Sequence, residues 1–203
     1  MSFIIFDTEY TSWKGCLENG RADWQKEEIV QIAALKINSQ TLEVEDELNI
    51  YIKPKINPIL SDFFIDLTKI TNEIINQKGV DFKTAYKDFY NFSKGLMCFS
   101  HGWNLNKNDI ADGEVIELNL EYNKIIENEP LNYLNIAHWF MKMYKEQNID
   151  IKKQASGDIV RLLGLEENIN HLGISIHNAL YDVYSILEGI KFFKGKELFD
   201  NKF

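Results

Sequence analysis

The chain begins with three apolar blocks that are separated by polar stretches, and each block has the length of a β-strand. The first apolar block ends at Asp7, where the sequence becomes polar, and it predicts a buried strand over residues 2–8. The runs at 28–37 and 47–53 predict a second and a third strand, and Pro54 ends the third. Three strands in succession favour an antiparallel meander.

After this region the apolar spacing changes to that of helices, with short apolar runs between them. The pattern predicts one or two short helices over residues 59–77, further helices over 82–94, 112–122, 136–146, 157–163 and 178–193, and strands over 96–100 and 131–136. Asp81 is a candidate N-cap. The order of elements favours an α/β fold, a mixed sheet flanked by helices. Without repeats or a linker, we expect a single domain over residues 1–203.

Composition and charge limit the classes of function that the chain can have. Hydrophobic residues make up 45% of the chain and charged residues 26%, which argues against disorder. The net charge of −9 gives no general attraction to nucleic acid or membranes, but it permits an enzyme whose carboxylates hold metal ions. Because no run approaches the roughly 20 apolar residues of a membrane span, we expect no membrane partner. The two cysteines, Cys16 and Cys98, are too few for a disulfide framework and fit a cytoplasmic location.

Asp7 and Glu9 are the first candidate site residues. They lie two positions apart at the end of an apolar strand, so both side chains face the same side of the sheet. Two neighbouring carboxylates at a buried strand end repel each other unless a cation lies between them. The alternative is that the strand has already ended and both are solvated loop residues.

His177 and Asp182 form the second candidate pair, around the start of the last predicted helix. Asp182 lies in the first turns, where an acid also complements the helix dipole without any further role. His177 precedes the helix, where a histidine is often a cap or a surface residue. The spacing nevertheless lets both side chains face the same edge of a sheet.

Together these motifs resemble a known family. Asp7-x-Glu9 and His177-x-x-x-x-Asp182 are similar to the first and third motifs of the DEDDh exonucleases, which belong to the proofreading-type 3′–5′ exonucleases with an RNase H-like fold. Residues 58–71 resemble the segment "P…LS.F…LTGIT" of the Eri-type branch, and residues 156–164 resemble the helix before its third motif. The resemblance covers nearly the whole chain. It implies an RNase H-like mixed sheet with three antiparallel strands followed by parallel ones.

The second motif departs from the family pattern. The family places an Asp a few residues after a strand-ending Ser-x-Gly, whereas residues 100–102 are followed here by a longer, Asn-rich stretch. Two acids are available, Asp109 and Asp112. We favour Asp112, because Val115 and Ile116 supply the apolar positions that a buried helix start needs. Asp109 can equally be a solvated loop residue.

The resemblance implies a two-metal mechanism. The four acids would hold two Mg²⁺ or Mn²⁺ ions, for which oxygen ligands are suited. Asp7 would bridge both ions, Glu9 and Asp182 would hold the ion of the attacking water, and Asp112 the ion near the leaving 3′-oxygen. His177 would be the general base. The chain would be a 3′–5′ exonuclease that converts single-stranded or frayed 3′ ends to nucleoside 5′-monophosphates. RNA is favoured over DNA, on the resemblance to the Eri-type branch.

Terminal specificity requires a pocket around the last nucleotide. The candidates are Thr8, Tyr10 and Thr11 after the first motif, and Leu67 and Ile70, which could pack on the terminal base or belong to the core. A non-catalytic module that binds nucleic acid or protein is the alternative function, and a dinucleotide phosphodiesterase is a third. A monomer and a homodimer both remain open, and the sequence names no protein partner.

Overall fold

The computed structural model of the chain describes residues 1–16, 26–102, 112–126, 131–149, 151, 154–195 and 198. These residues form five strands, β1 (Ser2–Tyr10), β2 (Ile29–Asn38), β3 (Val44–Tyr51), β4 (Cys98–Ser100) and β5 (Tyr133–Asn135). One sheet of order β3-β2-β1-β4-β5 contains them all. The pairs β1–β2 and β2–β3 are antiparallel, whereas β1–β4 and β4–β5 are parallel. The predicted mixed sheet is therefore confirmed.

In the described residues, seven α-helices flank the sheet. They are α1 (Asp62–Thr68), α2 (Asn72–Lys78), α3 (Phe82–Ser93), α4 (Asp112–Tyr122), α5 (Ala137–Glu146), α6 (Ile159–Leu163) and α7 (Ala179–Phe192). Polar side chains begin four of them: Ser61, Thr71, Asp81 and Asn178 each accept a backbone N–H of the first turn. The predicted cap at Asp81 is confirmed. No helix in the described residues is long and apolar enough to cross a membrane.

Strand β1 is buried on both faces, which explains its continuous apolar run. Phe3 and Ile5 pack in the cluster formed with α5, α6 and α7, whereas Ile4 and Phe6 pack in the cluster formed with α3 and α4. The same alternation continues to the strand end. It turns Asp7 toward the α7 side of the sheet and Thr8 toward the α4 side.

The parallel pairing of β1 and β4 determines where the site lies. Parallel strands bring their carboxyl ends to the same edge of a sheet, and ligands bind in the crevice at that edge. Strand β1 ends there at Tyr10 and β4 ends there at Ser100. Helix α4 and the N-terminus of α7 return to this edge with Asp112 and Asp182. The segment 103–111, which includes Asp109, lies outside the described residues.

Candidate active site

Three carboxylates converge at the end of β1. Asp7, Glu9 and Asp182 each offer an oxygen, and these oxygens lie within 4.8 Å of one another. Asp7 and Asp182 are buried, at 5% and 3% exposure, and Glu9 is half-buried. The structure therefore brings together the predicted first and third motifs, although Asp7 and Asp182 lie 175 positions apart in the chain.

Gln31 of β2 holds the start of α7 in place. Its side-chain Nε2 donates to Asn178 Oδ1 over 3.2 Å, and its Oε1 accepts the backbone N–H of Ala179 over 3.0 Å. Asn178 Oδ1 also caps α7 by accepting the N–H of Leu180. Because Gln31 is fully buried in the sheet, this network fixes the end of α7 that carries Asp182.

Ser156 and Gly157 support Asp182 from the turn before α6. The Ser156 hydroxyl donates to Asp182 Oδ2 over 2.9 Å, and Asp7 Oδ1 lies 3.4 Å from the same hydroxyl. A Cβ atom on Gly157 would overlap Asp182 Oδ1 and the Ile176 side chain, so only glycine permits this close approach. Nothing in the sequence of residues 156–164 by itself predicts either role.

Asp112 completes the acidic group from the other side of β1. The backbone N–H and the hydroxyl of Thr8 both donate to Asp112 Oδ1, over 2.9 Å and 2.7 Å. Asp112 is 8% exposed and opens α4. Of the two acids considered for the second motif, Asp112 is the one that the described residues place in this cleft.

The metal-free site keeps its acids protonated to unusually high pH. Burial raises the pKa of Asp182 to about 7 and that of Asp112 to about 6, with the Thr8 hydrogen bonds opposing the shift of Asp112. The pKa values of Asp7 and Glu9 are raised well above their usual range by burial and then by the neighbouring carboxylates, among which Asp112 acts on both. Bringing the acids together therefore costs free energy unless cations bind.

We expect the metal-free protein to lose stability as the pH rises from 6.5 to 8. Because the pKa of Asp182, about 7, exceeds the unfolded value of roughly 3.9, the folded state binds more protons in this window, and deprotonation favours unfolding. Burial lowers the pKa of His101 to about 4. Below pH 6.5 this histidine therefore has the opposite effect, so that its contribution to stability increases as the pH rises. The measurement is the midpoint of thermal unfolding as a function of pH, in EDTA and in Mn²⁺. Bound Mn²⁺ should suppress the loss of stability. A midpoint in EDTA that rises over this window would contradict the argument.

His177 lines the same cleft in an unusual backbone conformation. Its φ of +65° lies in the left-handed region, which non-glycine residues adopt only where the surroundings require it. Its backbone N–H faces the Asp182 carboxylate and lowers the pKa of that group. Burial lowers the pKa of the imidazole, and the charge of Asp158 opposes the shift. The imidazole is therefore largely neutral near pH 7, as a proton acceptor must be.

The cleft above the carboxylates has a volume of about 260 Å³. Its lining includes the predicted residues Thr8, Tyr10 and Leu67 and an apolar wall from α1, Phe63 and Phe64. The structure does not place the other two predicted residues there. Thr11 is 4% exposed and its hydroxyl accepts the backbone N–H of Glu28.

Ile70 is 1% exposed and packs with Val30 and Phe64 in a small core cluster, which is the core alternative considered for it. Phe63, which sequence reasoning missed, lies four positions before Leu67 on α1. This helical spacing puts both side chains on one face and could have identified it. His101 also lines the cleft, and its Nδ1 is buried without a partner in the described part of the chain.

Thr8→Val is expected to lower the affinity of the site for divalent ions about tenfold. Loss of a group that orients a metal ligand typically lowers metal affinity by 10–100-fold. Valine has the shape of threonine but lacks the hydroxyl that holds Asp112 Oδ1. The matched control is Thr8→Ser, which keeps the donor. The concentration of Mn²⁺ that gives half-maximal thermal stabilisation measures the effect. Equal values for valine and serine would remove Thr8 from this role.

The donor set fits hard divalent cations. All three clustered ligands are carboxylates, without histidine or cysteine, which is typical of Mg²⁺ or Mn²⁺ sites and not of zinc. Asp182 Oδ1 is buried and has no hydrogen-bond partner in the described residues, as expected of an oxygen that binds an ion. Asp7, Glu9 and Asp182 could hold one ion, and Asp112 could hold a second together with Asp7.

Known proteins resemble the chain in sequence and in structure. The family RNase_T, described as Exonuclease, matches residues 4–188. ERI1 exoribonuclease 2 of Xenopus laevis is 34% identical over 93 residues, 46% of this chain and 12% of that protein. Human 3′-5′ exoribonuclease 1 is 42% identical over 50 residues, 25% of this chain and 14% of that protein. The matched segments thus span about an eighth of the length of these curated relatives.

The fold is also that of a solved nuclease. The nuclease domain of 3′hExo, a DEDDh family member bound to rAMP, superposes with a TM-score of 0.65 and 21% identity. The superposition covers 98% of this chain and 92% of that domain. The likeness therefore extends over the sheet, the helices and the edge at which the carboxylates lie.

Proposed function

The chain belongs to the exonuclease family RNase_T, and from this premise we propose that it is a DEDDh enzyme of the Eri type, which removes nucleotides from the 3′ ends of nucleic-acid strands. The substrate is single-stranded or frayed, with RNA favoured over DNA, and the product is a nucleoside 5′-monophosphate. The observation that carries the proposal is the convergence of Asp7, Glu9 and Asp182 within 4.8 Å beside Asp112, in a cleft that His177 also lines.

The four carboxylates would hold two Mg²⁺ or Mn²⁺ ions. Two such ions, when bound, supply an activated water and stabilise the attacking and leaving oxygens of an in-line displacement on phosphorus. The residues that support the cluster act as positioning residues. Thr8 orients Asp112, and Ser156 and the backbone of His177 orient Asp182.

His177 would accept the proton of the attacking water. Its lowered pKa keeps the imidazole neutral near pH 7, so it can act as a base without first losing a proton. The backbone N–H of the same residue faces the Asp182 carboxylate and lowers the pKa of that group. The nucleophile and its base would therefore be positioned by the same turn before α7.

The apolar side chains of α1 that line the cleft would recognise the 3′-terminal nucleoside of the strand. Phe63 and Leu67, both partly exposed on α1, could pack on the terminal nucleoside, since stacking of a base on an aromatic side chain contributes about 1–3 kcal/mol. A cleft of about 260 Å³ suits one nucleotide at a time. The preference for RNA is supported by the relatives named as exoribonucleases and by the rAMP in the 3′hExo nuclease domain.

The test uses 5′-labelled single strands of RNA and DNA incubated with Mg²⁺, Mn²⁺ or EDTA. The wild type is compared with Asp112→Asn, which keeps an acceptor for Thr8 but loses the carboxylate, and with Asp88→Asn, an exposed acid on α3. We expect a metal-dependent ladder that shortens from the 3′ end, is lost in Asp112→Asn and is retained in Asp88→Asn. Binding without cleavage would favour the non-catalytic module. Cleavage of dinucleotides alone would favour the phosphodiesterase.

A further inference from the structure

A second cavity lies beside the candidate active site and has no role in the proposed chemistry. Its volume is about 360 Å³, and Tyr51, Lys69, Ile174, Ser175 and Asn178 contribute to its lining. It adjoins the active-site cleft, because Thr68 lines both.

The sheet register gives the distance between the two sites. Glu9 of β1 pairs with Gln31 of β2, which in turn pairs with Tyr51 of β3. Directly paired residues project from the same face of a sheet, and strands lie about 4.8 Å apart. Tyr51 therefore lies about 10 Å from Glu9 on the same face. A strand whose end is in the cleft would reach this cavity with its next nucleotide.

The cavity presents donors and a positive charge to a ligand. Lys69 is exposed, and no carboxylate in the described residues forms an ion pair with it. Asn178 is 7% exposed, and its Oδ1 accepts hydrogen bonds from Gln31 and Leu180, which leaves its amide N–H groups for a ligand. The Ser175 hydroxyl has no protein partner among the described residues. Among the described residues, no aspartate or glutamate lines the cavity, although the chain carries a net charge of −9.

Lys69 is placed at the cavity by the end of α1. It is the C-cap residue with φ 62°, a left-handed conformation that usually belongs to glycine. A lysine in this position adds a positive charge next to the site at some conformational cost.

The geometry points to a phosphodiester subsite, in which Lys69 and Asn178 bind the phosphate on the 5′ side of the penultimate nucleotide while Tyr51 and Ile174 contact its sugar or base. This inference rests on the proposed function and specifies which part of the strand is recognised. The occupant is a phosphodiester because the lining combines one cation with neutral donors and an aromatic ring, the combination that single-strand binding sites use.

Hydrolysis of a matched substrate pair tests the subsite. A 5′-hydroxyl dinucleotide lacks the upstream phosphate, and the 5′-phosphorylated dinucleotide carries it. We expect the wild type to prefer the phosphorylated form about fivefold, through KM, as one phosphate contact at a partly exposed site would give. In Lys69→Gln the preference should disappear, and Lys69→Arg should restore it. Lys124→Gln is the control, because Lys124 is exposed, also has a positive φ and does not line the cavity.

A binding measurement tests whether this subsite binds a phosphate, and it does not require hydrolysis. The affinity for a 5′-fluorescein single strand is measured by anisotropy as a function of salt. Loss of one phosphate contact should reduce the slope of log affinity against log salt by about 0.7 in Lys69→Gln and leave it unchanged in Lys124→Gln. Equal slopes or equal KM preferences in the two variants would overturn the inference. Absence of hydrolysis with every ion would overturn the proposed function alone.

Discussion

Asp7→Asn is expected to abolish hydrolysis and, at the same time, to stabilise the metal-free protein. A bound metal ion contributes several kcal/mol to transition-state stabilisation, and each 1.4 kcal/mol is a factor of ten, so we expect a loss of about 10³-fold or more. The stabilisation follows because Asp7 is buried among Asp112, Asp182 and Glu9, which together with burial raise its pKa. Asparagine removes this repulsion and keeps the shape of the side chain.

Two measurements separate these effects. The first is the hydrolysis rate of a labelled single strand in Mn²⁺. The second is the thermal midpoint in EDTA and in Mn²⁺. The midpoint of Asp7→Asn should exceed that of the wild type in EDTA and respond little to Mn²⁺, whereas the exposed control Asp88→Asn should behave like the wild type. An Asp7→Asn variant with wild-type activity would refute the assignment of the active site.

His177→Asn is expected to lower kcat by about 10²–10⁴-fold while the metal-induced stabilisation remains, since this is the usual contribution of a general base. Asparagine is chosen because it tolerates the left-handed backbone that His177 adopts at φ 65°. The backbone N–H that faces Asp182 is therefore preserved, and the variant removes only the imidazole.

The control for this experiment is His138→Asn, which changes an exposed histidine on α5. The kcat is measured with saturating Mn²⁺, and the shift in thermal midpoint with Mn²⁺ reports whether the acids still bind the ion. If His177→Asn lost activity and metal response together, its role would be structural. If it kept full activity, another group would have to accept the proton.

Much of the fold could be predicted because it depends on local patterns. The apolar block that ends at Asp7 predicts β1, and its period of two correctly turns Asp7 and Glu9 to one face. The apolar positions Val115 and Ile116 identify the start of α4, which Asp112 opens, whereas Asp109 lies outside the described residues. Strand bounds were less accurate, since the predicted strand over 96–100 is regular only from Cys98 to Ser100.

The supporting residues of the site could not be predicted, because their roles depend on contacts between distant parts of the chain. Thr8 meets Asp112 across 104 positions, and Ser156 lies near Asp7 across 149. Nothing in the local sequence distinguishes Gln31 from any other polar residue in a strand. Only its burial beneath α7 shows that it holds the turn carrying the third motif.

The sequence by itself determined the element order, the mixed sheet, the motifs around Asp7 and His177 and the family, because apolar periodicity and short motifs can be identified within single segments of the chain. Only the tertiary structure decided that Ile70 belongs to the core while Phe63 lines the cleft, and that Lys69 lies at a second cavity. These outcomes depend on how α1 packs against the sheet edge. That packing is set by many weak contacts between segments far apart in sequence, which no single segment encodes.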